Sequence, residues 1–249
     1  MAAPQPAVAG SVLAAALFAL PVALMLVQST PSAYAQAFAA VPLARALLNS
    51  AWICAAGVPL ALAVASTAAF GLAQAAPAVR GRLLLALLLS SSIPLTAVLV
   101  PRFVLFDAIG AVGTPVPLLA PALIGGTPLS CLLLFAALRR VPRDQIDAAR
   151  MEGLGWLAIW WHIAVPQTRP THAAVLMLSL VGFWGAFLEP LLYLHQEHEL
   201  TAPLMLHAVS LLGSTQWPLL MATAFTITLP AVLIVGALTS FLHHPFKTR

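Results

Sequence analysis

The chain has 249 residues, of which 61% are hydrophobic and 7% charged, and its formal net charge is +4. A water-soluble domain carries about 25% charge, so there is too little polar surface to cover a soluble globule and lipid is the solvent expected for most of the chain. Residues 1–249 read as one all-α integral membrane domain.

Six apolar runs follow one another, at about 9–28, 46–73, 83–105, 116–138, 170–194 and 216–242, each near the ~20 residues that cross a bilayer as a helix. The first has no Lys or Arg ahead of it and exceeds the core length of a secretion signal, so it reads as a span despite the small-residue triplet Ala33-Tyr34-Ala35. Residues 29–45 read as a short external connection. The second run is rich in Ala and Gly, which let helices approach closely in lipid. The third carries Ser90-Ser91-Ser92, Pro94 and Pro101, and the fourth carries Gly125-Gly126, so bends are expected in both. The fifth ends at Glu189-Pro190. A polar connection with His195, Glu197, His198 and Glu199 leads to the sixth, which Pro230 is expected to interrupt.

Charge sets the orientation. Nine of the eleven basic residues fall after runs two and four or in the C-terminal tail: Arg80, Arg82, Arg139, Arg140, Arg143, Arg150, Arg169, Lys247 and Arg249. The positive-inside rule places these in the cytoplasm, and six crossings then put both termini there. Arg102 lies about 19 residues into run three and reaches the far interface.

Much of the charge surrounds one segment, 139–169. It has room for two short helices. Ile146, Ala149, Gly153 and Leu154 suggest one face of the first, and Trp156, Trp160 and Ile163 one face of the second. Gly153 and Gly155 punctuate the join, and Pro142 and Pro166 bracket the unit, Pro166 stopping the second helix. The Trp residues suit a membrane interface.

Within it, Asp147-Ala148-Ala149 is followed after three residues by Gly153, and after nine more by Ile163-Ala164-Val165-Pro166. This resembles the cytoplasmic signature of ABC-importer permease subunits: Glu-Ala-Ala, three residues, Gly, nine residues, Ile-x-Leu-Pro. Asp replaces Glu and Val replaces Leu. The resemblance extends over nearly the whole chain and is greatest to the carbohydrate-importer branch, through Leu47-Leu48-Asn49-Ser50, Ile93-Pro94, Pro218 to Ala222, and Leu229-Pro230. Gly185-Ala186 stands where that branch has Asn plus an acid, and Glu189 where an apolar or aromatic residue is common.

The resemblance implies a coupling helix between spans four and five, docked on an ATPase subunit. Asp147 and Ala149 would lie on the docked face, Ala148 belongs to the same coupling loop, Gly153 would allow the turn, and Ile163 and Pro166 would anchor the second helix. It implies a multi-pass subunit of a bacterial cytoplasmic membrane, half of a heterodimer, working with two ATPase subunits and an external solute-binding protein. ATP and Mg would be bound by the ATPases. No cofactor, nucleic acid or catalytic residue is implied in this chain, and its single lysine, Lys247 after Phe246, excludes a P-loop. Phe183, Trp184, Phe187 and Ser91 are candidates for a sugar path. His195-x-x-His198 reads as a solvated loop rather than a metal site. Import of glycerol phosphate or a polyamine stands as an alternative, as does ion-driven secondary transport, which predicts acids at helix centres.

Overall fold

A computed structural model describes residues 19–213 and 216–243, and those residues form helices joined by short turns. The helices are α1 (Ala19–Gln28), α2 (Pro31–Ala40), α3 (Leu43–Gln74), α4 (Pro77–Ser91), α5 (Leu95–Ala108), α6 (Val116–Leu123), α7 (Pro128–Leu138), α8 (Arg143–Met151), α9 (Trp156–Ile159), α10 (Val165–Gln167), α11 (Arg169–Trp184), α12 (Leu188–Tyr193), α13 (Ala202–Ser210) and α14 (Trp217–His243).

Four stretches are long and apolar enough to cross a membrane: Leu43–Gln74, Val116–Leu138, Arg169–Tyr193 and Trp217–Thr239. A fifth is the pair α4 and α5, if its two halves, bent by 91°, make one span. The expected first span is described only as the ten-residue α1. Residues 9–18 and both termini, expected in the cytoplasm, lie outside the described residues.

The 32-residue α3 is the helix around which the others pack. Its buried face runs through Ala46, Ser50, Cys54, Gly57, Ala61, Ala65 and Ala69, a stripe of small side chains three or four residues apart. Two helices in lipid gain no hydrophobic driving force from meeting, so close van der Waals packing along such a stripe is what holds them. Against it lie α6, α7 and α11. The α6–α7 break is part of this packing. The N–H of Gly126 returns to the Pro121 carbonyl at 2.8 Å and that of Gly125 to Ala122 at 3.0 Å. Gly125 has φ +79°, and a Cβ on it would stand 3.1 Å from the Ala65 backbone. The turn therefore requires glycine twice over: for its backbone angle and for its approach to α3.

The α4–α5 bend sits at Ser92–Pro94, where Pro94 removes a donor and Ser90 and Ser91 bond back to Leu87 and Leu88 at 2.8 and 2.7 Å. Three expectations are corrected. Pro230 does not interrupt the sixth run, because α14 continues through it. The connection over 29–45 is largely helical: α2 buries Ala33 and Ala37, and Tyr34 meets Phe225 edge-on at 6.2 Å. The polar connection before α14 contains α13, which buries Ala202, Met205 and Val209 at helical spacing against α3 and α14.

Candidate coupling loop and membrane cavities

The segment 139–169 folds as a helix, a tight turn and a second, irregular helix. Pro142 precedes α8, where a missing N–H costs nothing, and Asp144 in the first turn complements the helix dipole. At the other end Leu154 N–H bonds the Ala149 carbonyl and Gly153 N–H bonds that of Arg150, both at 3.0 Å. This is a Schellman cap, with Gly153 at φ +86° in the left-handed position. A Cβ on Gly153 would meet nothing within 4 Å, so its backbone angle requires glycine while the space beside it is open.

The second helix is not stopped at Pro166. It runs from α9 through one π-turn, Trp160–Ala164, into α10. The Val165 N–H reaches back five residues to the Trp160 carbonyl. Pro166 offers no N–H and its ring would collide with the carbonyl four residues back. The wider π-turn just ahead of it relieves that conflict.

The two helices face each other across an open groove of about 460 Å³, lined by Ala148, Ala149, Ile163 and Pro166 with Gln145, Glu152, His162 and Gln167. Gln167 donates to Gln145 at 2.7 Å and closes one end. Four of the six signature residues thus meet at one surface. Asp147 and Gly153 are exposed outside it. Ala149 differs from expectation. At 6% exposure it packs with Ile146, Ile159 and Ala164 in the protein's own core, so it forms the groove floor rather than an outward face. Trp156 carries the Arg150 guanidinium over its ring at 4.5 Å and meets Phe70 of α3 edge-on.

The loop is tied to the spans by a chain of hydrogen bonds that sequence reading missed. Trp160 Nε1–H donates to Ser66 Oγ of α3 at 2.9 Å, and Ser66 lies 2.7 Å from His172 Nε2 of α11. His172 Nδ1 is 3.0 Å from the Thr168 carbonyl. A carbonyl can only accept, so Nδ1 carries the proton and Nε2 accepts from the Ser66 hydroxyl. Thr168 Oγ1 donates to Ala164 at 2.7 Å. Polar residues at buried helix positions, Ser66 and His172, were the only hint in the sequence.

The proposed sugar-path residues separate. Phe183 packs its ring against α3, where a Cβ on Gly57 would come within 2.6 Å of it. It also faces a cavity of about 380 Å³ shared with Ser179, Thr127, Ser130 and Glu189. Trp184 is 8% exposed and donates Nε1–H to the Ile227 carbonyl at 3.2 Å, binding α11 to α14. Phe187 meets His207 edge-on at 5.3 Å. The exposed Ser91 spends its hydroxyl on Leu88. Glu189 is not a solvated interfacial acid. It pairs with Arg102 of α5, their side chains 19% and 12% exposed for Arg102 and Glu189 respectively, and Arg102 also donates to the Pro117 carbonyl at 3.3 Å. His195 and His198 are exposed.

The family described as "Binding-protein-dependent transport system inner membrane component" matches residues 57–243, three quarters of the chain and all of the segment 139–169. The chain belongs to this family. As an inner membrane component it is a multi-pass membrane protein, in keeping with its apolar helices. The chain is similar to the lactose transport system permease protein LacG of Rhizobium radiobacter, 28% identical over 204 residues, 81% of this chain and 73% of the relative. The sulfoquinovosyl glycerol transport system permease protein SmoH of Agrobacterium fabrum is 25% identical, covering 81% of this chain and 71% of its own length. The arabinooligosaccharides transport system permease protein AraQ of Halalkalibacterium halodurans is 26% identical, covering 75% and 66%. A chain in the crystal structure of a bacterial ABC transporter that imports the acidic polysaccharide alginate superposes with a TM-score of 0.75 over 99% of this chain and all of that one, at 16% identity, so the two share a fold.

Proposed function

We propose that this chain is one of two permease subunits of an ATP-driven importer that moves a saccharide or related polyol inward by alternating access. Separate ATPase subunits dock at the loop Asp147–Pro166, and an external binding protein delivers the solute. The observation that carries this reading is the groove built by Ala148, Ala149, Ile163 and Pro166 on a loop fastened to α3 through Trp160 and Ser66. A push from a partner reaches the spans only through contacts that do not yield, and a buried, fully bonded anchor is such a contact. The solute class is supported by the relatives, whose names specify lactose, arabinooligosaccharides and sulfoquinovosyl glycerol.

The test is recovery of partners from detergent-solubilised membranes. The native chain brings down an ATPase and a second permease, and Asp147→Arg/Gly153→Trp keeps the permease and loses the ATPase. A native chain that purifies alone, with uptake driven by an ion gradient, overturns the proposal.

A further inference from the structure

A second polar cavity, of about 190 Å³, lies where the ends of four helices meet beside the coupling loop. Its wall is Ala73 and Gln74 from the end of α3, Arg80 from the first turn of α4, Leu138 and Arg139 from the end of α7, Val141, and Arg143 and Ile146 from α8. Three arginines face one small space, and no carboxylate lines it. Among the described residues none of the three forms an ion pair. Asp144 follows Arg143 in the chain but is not part of the wall. Part of this charge has local partners. Arg80 Nη2 donates to the Ala75 carbonyl at 2.9 Å, and the Arg139 guanidinium stands 5.7 Å from the Phe135 ring centre. Arg80 Nε, however, is buried with no hydrogen-bond partner. An arginine donor withdrawn from water without an acceptor is costly, and the acceptor best matched to several guanidinium forks is a phosphate.

The surroundings identify which phosphate. Arg80 begins the inward face of α4 that Leu84 and Leu87 continue into the core, while Val79, Leu83, Leu85 and Leu88 on the same helix are exposed. The cavity is therefore level with the last turn of the apolar α3, and the helix that brings Arg80 to it carries bare leucine on its outer face. A phosphodiester seated among the arginines would lay its acyl chains along that leucine face. We propose that this cavity binds the headgroup phosphate of an anionic phospholipid, on the membrane side that carries the coupling loop. It needs no assumption about the solute that is transported.

Native mass spectrometry of the purified full-length chain, with its co-purifying subunits, tests this with three probes: phosphatidylglycerol, phosphatidylcholine and inorganic phosphate. Phosphatidylglycerol is expected to be retained over phosphatidylcholine, and each arginine replaced by glutamine to weaken retention about fivefold. Arg143→Gln changes an exposed side chain and leaves the fold alone, so it stands beside Arg80→Gln in case that variant does not fold. Equal retention of the two lipids, or no loss in Arg143→Gln and Arg80→Gln, overturns the proposal. Inorganic phosphate bound as tightly as the lipid makes this a site for the free ion and overturns it too. So does loss of a co-purifying protein in the arginine variants with lipid retention unchanged, since the arginines would then serve an acidic protein surface.

Discussion

Gly153 and His172 each hold the loop over 139–169 in a way that a single substitution can interrogate. Gly153→Ala forces an L side chain into the left-handed region at φ +86° and is expected to cost roughly 1–2 kcal/mol. That is a fraction of a domain's stability, so the variant folds with a lowered thermal midpoint. Gly153→Trp adds bulk in the open space outside the loop. If a partner packs there, transport falls far more in the Trp variant than in the Ala variant, although both reach the membrane at native levels. Equal transport in the two, measured as solute uptake per inserted protein, would free Gly153 of any docking role. His172→Ala leaves the Ser66 hydroxyl without its acceptor, while the Thr168 carbonyl loses the ring donor and keeps the backbone N–H groups of residues 171 and 172. An orphaned buried polar group costs about 1–3 kcal/mol. Hydrogen exchange over 156–167 should then accelerate while the cores of α7 and α14 stay protected. Unchanged exchange in the loop would show that the chain of bonds does not anchor it.

Among the elements, α5 and α12 are joined by a contact whose partners lie 87 positions apart, Arg102 and Glu189. Breaking a largely buried ion pair from one side strands a charge, and removing both sides together does not. Arg102→Gln and Glu189→Gln are each expected to lower the melting temperature, and the double variant to lose less than the two losses summed. The coupling expected from the cycle is roughly 1–3 kcal/mol; an additive result would make the pair incidental. Packing between α3 and α11 is probed by Gly57→Leu, which drives side-chain atoms into the space held by the Phe183 ring. That variant should be poorly inserted or degraded, and Phe183→Ala should rescue it. Which elements were legible follows from the same physics. Bends at Pro94 and Gly125-Gly126 could be read because each residue lacks a donor or a Cβ and acts locally. Pro230 misled because neighbouring helices and side chains can accommodate a proline inside a span. Thr201 before Ala202-Pro203, with apolar residues at 202, 205, 206 and 209, is a helix start that the five polar or charged residues at 195–199 obscured only by their position.

At the scale of the molecule, membrane class and the two-helix segment around Gly153 were readable because both are written in contiguous residues: long apolar runs, and a spacing of small and branched residues around that glycine. The anchor Ser66–His172–Trp160, the Arg102–Glu189 pair and the arginine cavity were not, since each joins residues far apart in the chain that only packing around α3 brings together. The dispersal of Phe183, Trp184 and Phe187 has the same cause. Three aromatics within five positions of one helix and its break point in different directions, so proximity in sequence says little about a shared wall. The central claim is that force enters through the loop and solute moves through the spans. Its most direct measurement is uptake of a labelled saccharide, identified from the co-purifying binding protein, into vesicles holding the purified complex with ATP sealed inside. The account predicts ATP-dependent uptake with the native chain and none with Gly153→Trp in an equally inserted complex. Uptake that proceeds without ATP, or that Gly153→Trp leaves at the native rate, would contradict it.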